Sequence, residues 1–182
     1  MHKRMTRVSY IFLAIVSALI AFESIGWPFE VRFTVPQFNY HAYGALCLSL
    51  PIALLLVAIH GKPTSLRVTC LILTLFVGAP AAFLGVFAIW EGNTVSERGR
   101  DYSFEKIDEK KMGQASYRLY VADCGATCSH DLVLQKEIDL PVGLKLISKM
   151  WVHLNENEAS LSISNGHIRI HGSNSILGEV AL

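Results

Sequence analysis

The sequence predicts an α-helical membrane region of three transmembrane helices joined to a small, mainly-β C-terminal domain outside the cytoplasm. Three observations predict it: high hydropathy with sparse charge, three long uncharged runs confined to the first 90 residues, and period-two alternation after residue 114. Of the 182 residues 52% are apolar and 17% are charged, with a mean hydropathy of +0.38, greasier than a soluble domain of this length. Charge is also uneven. Residues 1–90 hold six Lys/Arg and two Asp/Glu, whereas residues 91–182 hold ten and thirteen. A net charge of +1 with no basic, aromatic-rich block excludes nucleic acid as an expected partner.

The three-span region covers residues 1–90, with spans at about 8–27, 42–60 and 68–90. Val8 to Phe22 carries no charge, and with Glu23 to Trp27 at the interface it reaches the about 20 residues that cross a bilayer. The basic stretch MHKRMTR before it resembles the start of a signal peptide. The apolar run is followed by Glu23, Ser24, Ile25, Gly26 and the bulky Trp27, with no good small-x-small cleavage site before them, so the segment is expected to stay as an anchor. Ala42 to Ile59 is the second uncharged run, bracketed by Tyr40 and Tyr43 and by His60 and Lys62, anchors suited to an interface. Val68 to Trp90 is the third. Lys3, Arg4 and Arg7 before span one, and Lys62 and Arg67 between spans two and three, put both segments in the cytoplasm by the positive-inside bias. The loop from Trp27 to His41 and everything after residue 90 are then expected outside, which in a Gram-negative cell is the periplasmic side of the inner membrane.

Ala45, Ser49 and Ala53 recur every four residues in span two, and Gly78 with Ala82, and Ala81 with Gly85, do so in span three. Such small-residue stripes let helices approach closely in lipid. They suit packing within one chain and, equally, pairing of two copies. Pro51 and Pro80 are expected to kink their helices. Glu23, beside Trp27, is expected at interfacial depth, where pairing with Arg32 or His41 would be consistent with a structural role.

Residues 91–113 are charged and weakly periodic, as expected of a stalk or linker, and residues 114–182 form the β domain. Alternation of Ala115, Tyr117, Leu119 and Val121, and of Leu132, Leu134, Ile138 and Leu140, predicts half-buried strands. Residues 144–154 alternate as well, although Leu144, Ile147, Trp151 and Leu154 also approximate a helical face. Asn165-Gly166 between two alternating runs predicts a tight hairpin, and the tail SILGEVAL supplies a last strand. Five or six strands would form one small sheet, near the lower size limit for an independent core.

Cys124 and Cys128 lie four apart in ADCGATCSHD. In an oxidising compartment they are expected to form a disulfide, which would stabilise the domain by about 2 kcal/mol on the chain-entropy model. A metal site is the alternative, built from Cys124, Cys128 and His130 with His167 and His171, whose thiolates and imidazoles suit copper or zinc. Cys47 and Cys70, within the spans, are expected to be packing residues. No G-x-S-x-G, H-E-x-x-H, phosphate-binding or dinucleotide-binding pattern occurs, so neither catalysis nor a cofactor is expected. Lys145, Lys149 and His153 are the candidate partner-binding face.

The run YRLYVADCGATCSHDLVLQKE, residues 117–137, resembles the core of bacterial exported or membrane-anchored domains in which a Cys-Gly-Ala-Thr turn joins two strands. That resemblance implies no particular activity. The function expected from these readings is non-enzymatic: an anchored external domain that binds an envelope protein, as an accessory of a membrane complex or in an immunity role. The alternative is a periplasmic metal-handling or thiol-redox accessory built on Cys124, Cys128 and His130.

Overall fold

The computed structural model describes residues 2–25, 29–101, 104–123, 130–164, 166–173 and 175–182. The chain divides into a helical unit, residues 1–27 and 37–97, and a β unit, residues 28–36 and 98–182.

In the helical unit, α1 (His2–Ser24) and α2 (Pro36–His60) are followed by α3 (Thr64–Leu73), a π-helical turn (Thr74–Gly78) and α4 (Ala79–Arg98). Three continuous helical stretches, Arg4–Glu23, Pro36–His60 and Thr64–Arg98, are long and apolar enough to cross a membrane. The third has 35 residues, roughly 50 Å at 1.5 Å per residue, so its charged end outruns a bilayer core of about 30 Å. The expected stalk thus begins as helix, because nothing between Glu91 and Arg98 breaks it. Pro51 sits within an unbroken α2, and the π-helical turn ends two residues before Pro80, which has no N–H to donate to the carbonyl four residues back and whose ring clashes with it.

The packing inside this unit is set by glycine. Gly78, Gly85 and Gly92, seven apart, are buried along the third stretch with Ala88 and Val95. A Cβ on Gly85 would stand 2.8 Å from the Gly44 carbonyl oxygen, one on Gly44 2.8 Å from that of Gly85, and one on Gly92 2.7 Å from the His41 ring. Gly78 faces Pro51 in the same way, at 3.1 Å, so α2 and α4 run antiparallel at backbone contact. The expected stripe of Ala45, Ser49 and Ala53 is split by this geometry: Ala53 is buried and Ala45 exposed. At one end of the seam His41 Nε2 meets Asn93 Oδ1 at 3.1 Å. Arg32 pairs with Glu30. A second cluster joins Leu54, Val57, Ala58 and Cys70 with Tyr10 and Leu13 of α1. The turn between α2 and α3 is tied down by Arg67 Nε donating to the Ala58 carbonyl at 2.8 Å and Thr6 Oγ1 to that of His60 at 2.9 Å. Phe76, Phe83, Leu75 and Ile11 are exposed, so along the α2–α4 seam small residues face inward while many large apolar ones face outward.

The β unit holds two antiparallel sheets, where one was expected. Sheet A has the order β1 (Phe29–Phe33), β5 (Leu144–His153), β4 (Asp131–Leu140), β3 (Ala115–Ala122), β2 (Phe104–Met112). Sheet B has the order β6 (Ser160–Ser164), β7 (His167–His171), β8 (Ile176–Ala181). Two strands come from stretches expected to be loop and stalk. β1 lies between α1 and α2, where Phe29, Val31 and Phe33 alternate with Glu30 and Arg32. In β2 a register shift between Lys106 and Asp108 interrupts the alternation. The expected hairpin is present, with Ser164 opposite His167.

The core lies between the sheets. Tyr117, Leu119, Leu132 and Leu134 of sheet A pack on Leu161, Ile168 and Ile170 of sheet B. Trp151 closes over Gly178, where a Cβ would stand 2.6 Å from its Nε1. Asp108 links the sheets: Oδ2 accepts the Leu161 N–H at 2.7 Å, and Oδ1 accepts that of Glu109 at 2.7 Å. One turn is strained. Val142, at the β4–β5 tip, has φ +67°, a left-handed conformation costing a β-branched residue about 1–2 kcal/mol.

Replacing Gly85 by Val is expected to destabilise the helical unit by about 1–3 kcal/mol, since the groups in its way include backbone. Thermal unfolding of the detergent-solubilised chain checks this, and an unchanged midpoint would mean that α2 and α4 are not in backbone contact.

Candidate functional site

The most organised polar cluster lies on the face of sheet A opposite the inter-sheet core. Strand alternation puts Glu137 of β4, Arg118 and Tyr120 of β3, Lys145 of β5 and Glu109 of β2 on that face, as the cross-strand pairs Glu109–Arg118, Arg118–Gln135 and Asp139–Lys145 require. Glu137 is 1% exposed. An ionised carboxylate at that depth needs compensating donors, and three reach it. Arg118 Nη1 and Lys145 Nζ donate to Oε2, the latter at 3.0 Å, and the Tyr120 hydroxyl donates to Oε1 at 2.5 Å. Arg118 also reaches Glu109 at 3.2 Å, and Lys106 donates to Glu109 at 2.7 Å. Phe104 stacks on Tyr120 with centroids 4.3 Å apart. Arg118 Nε is buried without a hydrogen-bond partner.

The electrostatics follow from these contacts. The Lys106 ammonium, followed by Arg118, holds the Glu109 carboxyl at about 2 against an ordinary 4.5, although burial opposes this. Burial, then the hydrogen bond to Glu137, pushes the Tyr120 phenol up. Burial works against the charge on Arg118, but Glu137 and Glu109 outweigh it and raise its pKa. A phenol that resists ionisation and a carboxylate whose two oxygens already accept bonds are poorly placed to exchange protons with a substrate. The cluster is suited to fixing β3, β4 and β5 in one register and presenting a fixed pattern of charge.

The other sequence-predicted residues are scattered. Lys145 and Lys149 share the charged face, but the first is bonded to Glu137 and only Lys149 is exposed. A register shift lets Leu134 face Trp151 while Gln135 faces Lys149. One extra residue in β5 therefore turns His153 to the other face, stacked on Trp151 at 5.5 Å. The expected three-residue face is divided by that bulge. His171 accepts or donates a hydrogen bond with Ser162 at 2.7 Å on the outer face of sheet B, where Arg169 pairs with Glu179. His167 lies on β7 with His171, and His130 is exposed ahead of β4. Among the described residues no three His, Cys, Asp or Glu converge as a metal site. Cys124 and Cys128, and with them the expected disulfide and the thiol ligands, lie outside the described residues. Cys47 and Cys70 are free thiols buried in the helical unit.

Comparison of the chain with protein-family models, with curated proteins and with solved structures gave no match. The functional reading therefore stands on the geometry. Sequence reasoning missed the Glu137 cluster, yet a signal was present: Arg118, Tyr120 and Glu137 all fall on the polar phase of strands whose other phase is Tyr117, Leu119, Leu132 and Leu134.

Glu137→Gln is expected to cost the β unit about 3–5 kcal/mol, because it takes the charged partner from Lys145 and leaves Arg118 with Glu109 alone. Tyr120→Phe removes a single bond to a charged group and should cost about 1.5–3 kcal/mol. Denaturant unfolding of both variants tests this order; equal losses would mean that Glu109 suffices for Arg118 and that Lys145 finds another partner. Because the folded pKa of Glu109 lies below its ordinary value, its contribution is present above pH 4.5 and fades as the pH falls toward 2. The stability gap between the native chain and Glu109→Gln should close over that window. A gap independent of pH would show that the carboxylate is not held by Lys106 and Arg118.

Proposed function

We propose that the chain is a three-span envelope protein which holds a non-enzymatic β domain on the extracytoplasmic side of the inner membrane, where the domain binds a protein partner. The observation that carries this reading is the ladder between β1 and β5. Residues 29–33, between the first two apolar helices, complete a sheet whose other strands all follow the third. Chain segments that pair must share a compartment, and three crossings return the chain to the compartment of its first loop. The inward small residues and outward Phe76 and Phe83 of the helical unit support lipid exposure. The basic residues Arg4, Arg7, Lys62 and Arg67 support a cytoplasmic N-terminus and α2–α3 turn.

The binding role rests on the charged face of sheet A. Its central groups are paired internally and so hold their positions, while Lys149 and Lys106 project at its border. Preorganised charge of this kind favours recognition and the selection of partners. The expected occupant is a folded envelope protein of complementary, acidic surface.

Intact cells test both halves. A membrane-impermeant maleimide is expected to add mass to a Gln114→Cys chain beyond its parent and none to a Ser65→Cys chain. Labelling of Ser65→Cys alone would reverse the orientation, and labelling of both would end the three-span reading. With benzoylphenylalanine at position 149, irradiation is expected to yield one discrete protein adduct. Its absence in cells where the chain is abundant would remove the binding role.

A further inference from the structure

The core face of sheet A is only half covered. Sheet B packs over Tyr117, Leu119, Leu132 and Leu134. Toward the β4–β5 turn the same face continues as two cross-strand rows, Val31–Leu146–Ile138 and Phe33–Leu144–Leu140. Phe29 and Val31 are each 58% exposed, Leu140 is 36% exposed, and Val142 at the tip is 94% exposed. Val142 also holds the left-handed φ described above. A glycine or asparagine would relieve that strain, and at this exposure the valine side chain packs on almost nothing. Strain retained at an exposed apolar position is a reason to ask what the side chain meets.

The strand carrying this ledge is joined to the helices by short connections. The Gly143 carbonyl accepts bonds from the Thr34 N–H at 2.9 Å and from Thr34 Oγ1 at 3.0 Å. Pro36, the first residue of α2, is two positions further, a reach of about 7 Å for extended backbone. Phe29 follows the end of α1 at Ser24 by five positions. Only a few residues of chain therefore separate the strand that carries the ledge from α1 on one side and α2 on the other.

We propose that Phe29, Val31, Leu140 and Val142 form a lipid-contacting ledge that seats the β domain in the boundary between phospholipid headgroups and acyl chains. The proposal rests on reading the apolar helices as membrane spans. Given that reading, the surface within reach of the ledge is the bilayer itself, and an apolar strand with a turn that projects a valine fits its interfacial zone. The charged residues of β1, Glu30 and Arg32, fall on the opposite face of the sheet and bond to each other, leaving the ledge face of this strand apolar.

The test uses the full chain in vesicles of phosphatidylcholine and phosphatidylglycerol, with benzoylphenylalanine placed singly at Val142, at Leu140, at Phe87 of α4, or at Ile163 of β6. Phe87 and Ile163 are exposed in the helical and β units respectively. After irradiation, the intact mass is expected to rise by one phospholipid at 142 or 140 and at 87, and to stay unchanged at 163. The Leu140 position covers the case in which the bulky group at 142 disrupts the turn. Lipid adducts at 87 without any at 142 or 140 would overturn the ledge while leaving the spans intact. Absence of lipid at 87 would overturn the spans, and the ledge with them. A chain-to-chain adduct as the sole product at 142 and 140 would assign the ledge to a second copy. Equal lipid labelling at 163 would reduce the result to general adsorption and overturn the proposal.

Discussion

The β unit depends on a strand it does not own in sequence. β1 is joined to β5 by a five-residue ladder and by the bonds of Thr34 to Gly143, which span 109 positions. Without it, β5 would become an edge strand, with Leu144 and Leu146 uncovered and its outer N–H and C=O groups open to pairing with other chains. With it, the sheet is bound covalently at both ends of β1 to helices α1 and α2. The order of elements in the helical unit is thereby coupled to the order of strands in the β unit. Closing so long a loop is slow but costs only logarithmically more than a short one, so the arrangement is affordable once the helices have formed.

Within sheet A, polar chemistry enforces what apolar packing alone leaves open. The apolar core would tolerate several arrangements of similar strands, since many of its residues are Leu, Ile and Val. Glu137 would not. Its three donors come from the strands on either side of β4, and a slip of one residue would turn the carboxylate into the inter-sheet core with no partner. Buried ion pairs are weak contributors to net stability, but they penalise wrong registers heavily. Asp108 has a related role at the sheet border, where the shift in β2 brings it to the open N–H of Leu161 and joins the two sheets through a side chain.

The helical unit follows the opposite rule to the β unit. Its α2–α4 seam is lined by Gly44, Gly78, Gly85 and Gly92 and a second cluster by Leu54 and Val57, while Phe76, Phe83, Leu75 and many other large apolar residues point outward. In water that distribution would leave much apolar area exposed; in lipid it maximises backbone contact between helices, where van der Waals packing replaces the hydrophobic effect as the cohesive term.

The sequence by itself determined the three apolar helices, the mainly-β character of the C-terminal part, the Asn165–Gly166 hairpin and the final strand. Each is signalled by a local pattern: uninterrupted apolarity, period-two alternation, or a turn pair. Gly78 and Gly85 were legible as members of four-residue pairs of small residues, whereas their seven-residue repeat with Gly92 acquires meaning only against α2. Only the tertiary structure decided that Phe29–Phe33 is a strand, because five alternating residues between two helices have no meaning until β5 accepts them. Only it divided Lys149 from His153, since a bulge in β5 leaves no trace in composition. It also assembled Glu109, Arg118, Glu137 and Lys145 from four strands. Such a cluster is set by register across strands, a long-range property that no single stretch of sequence contains.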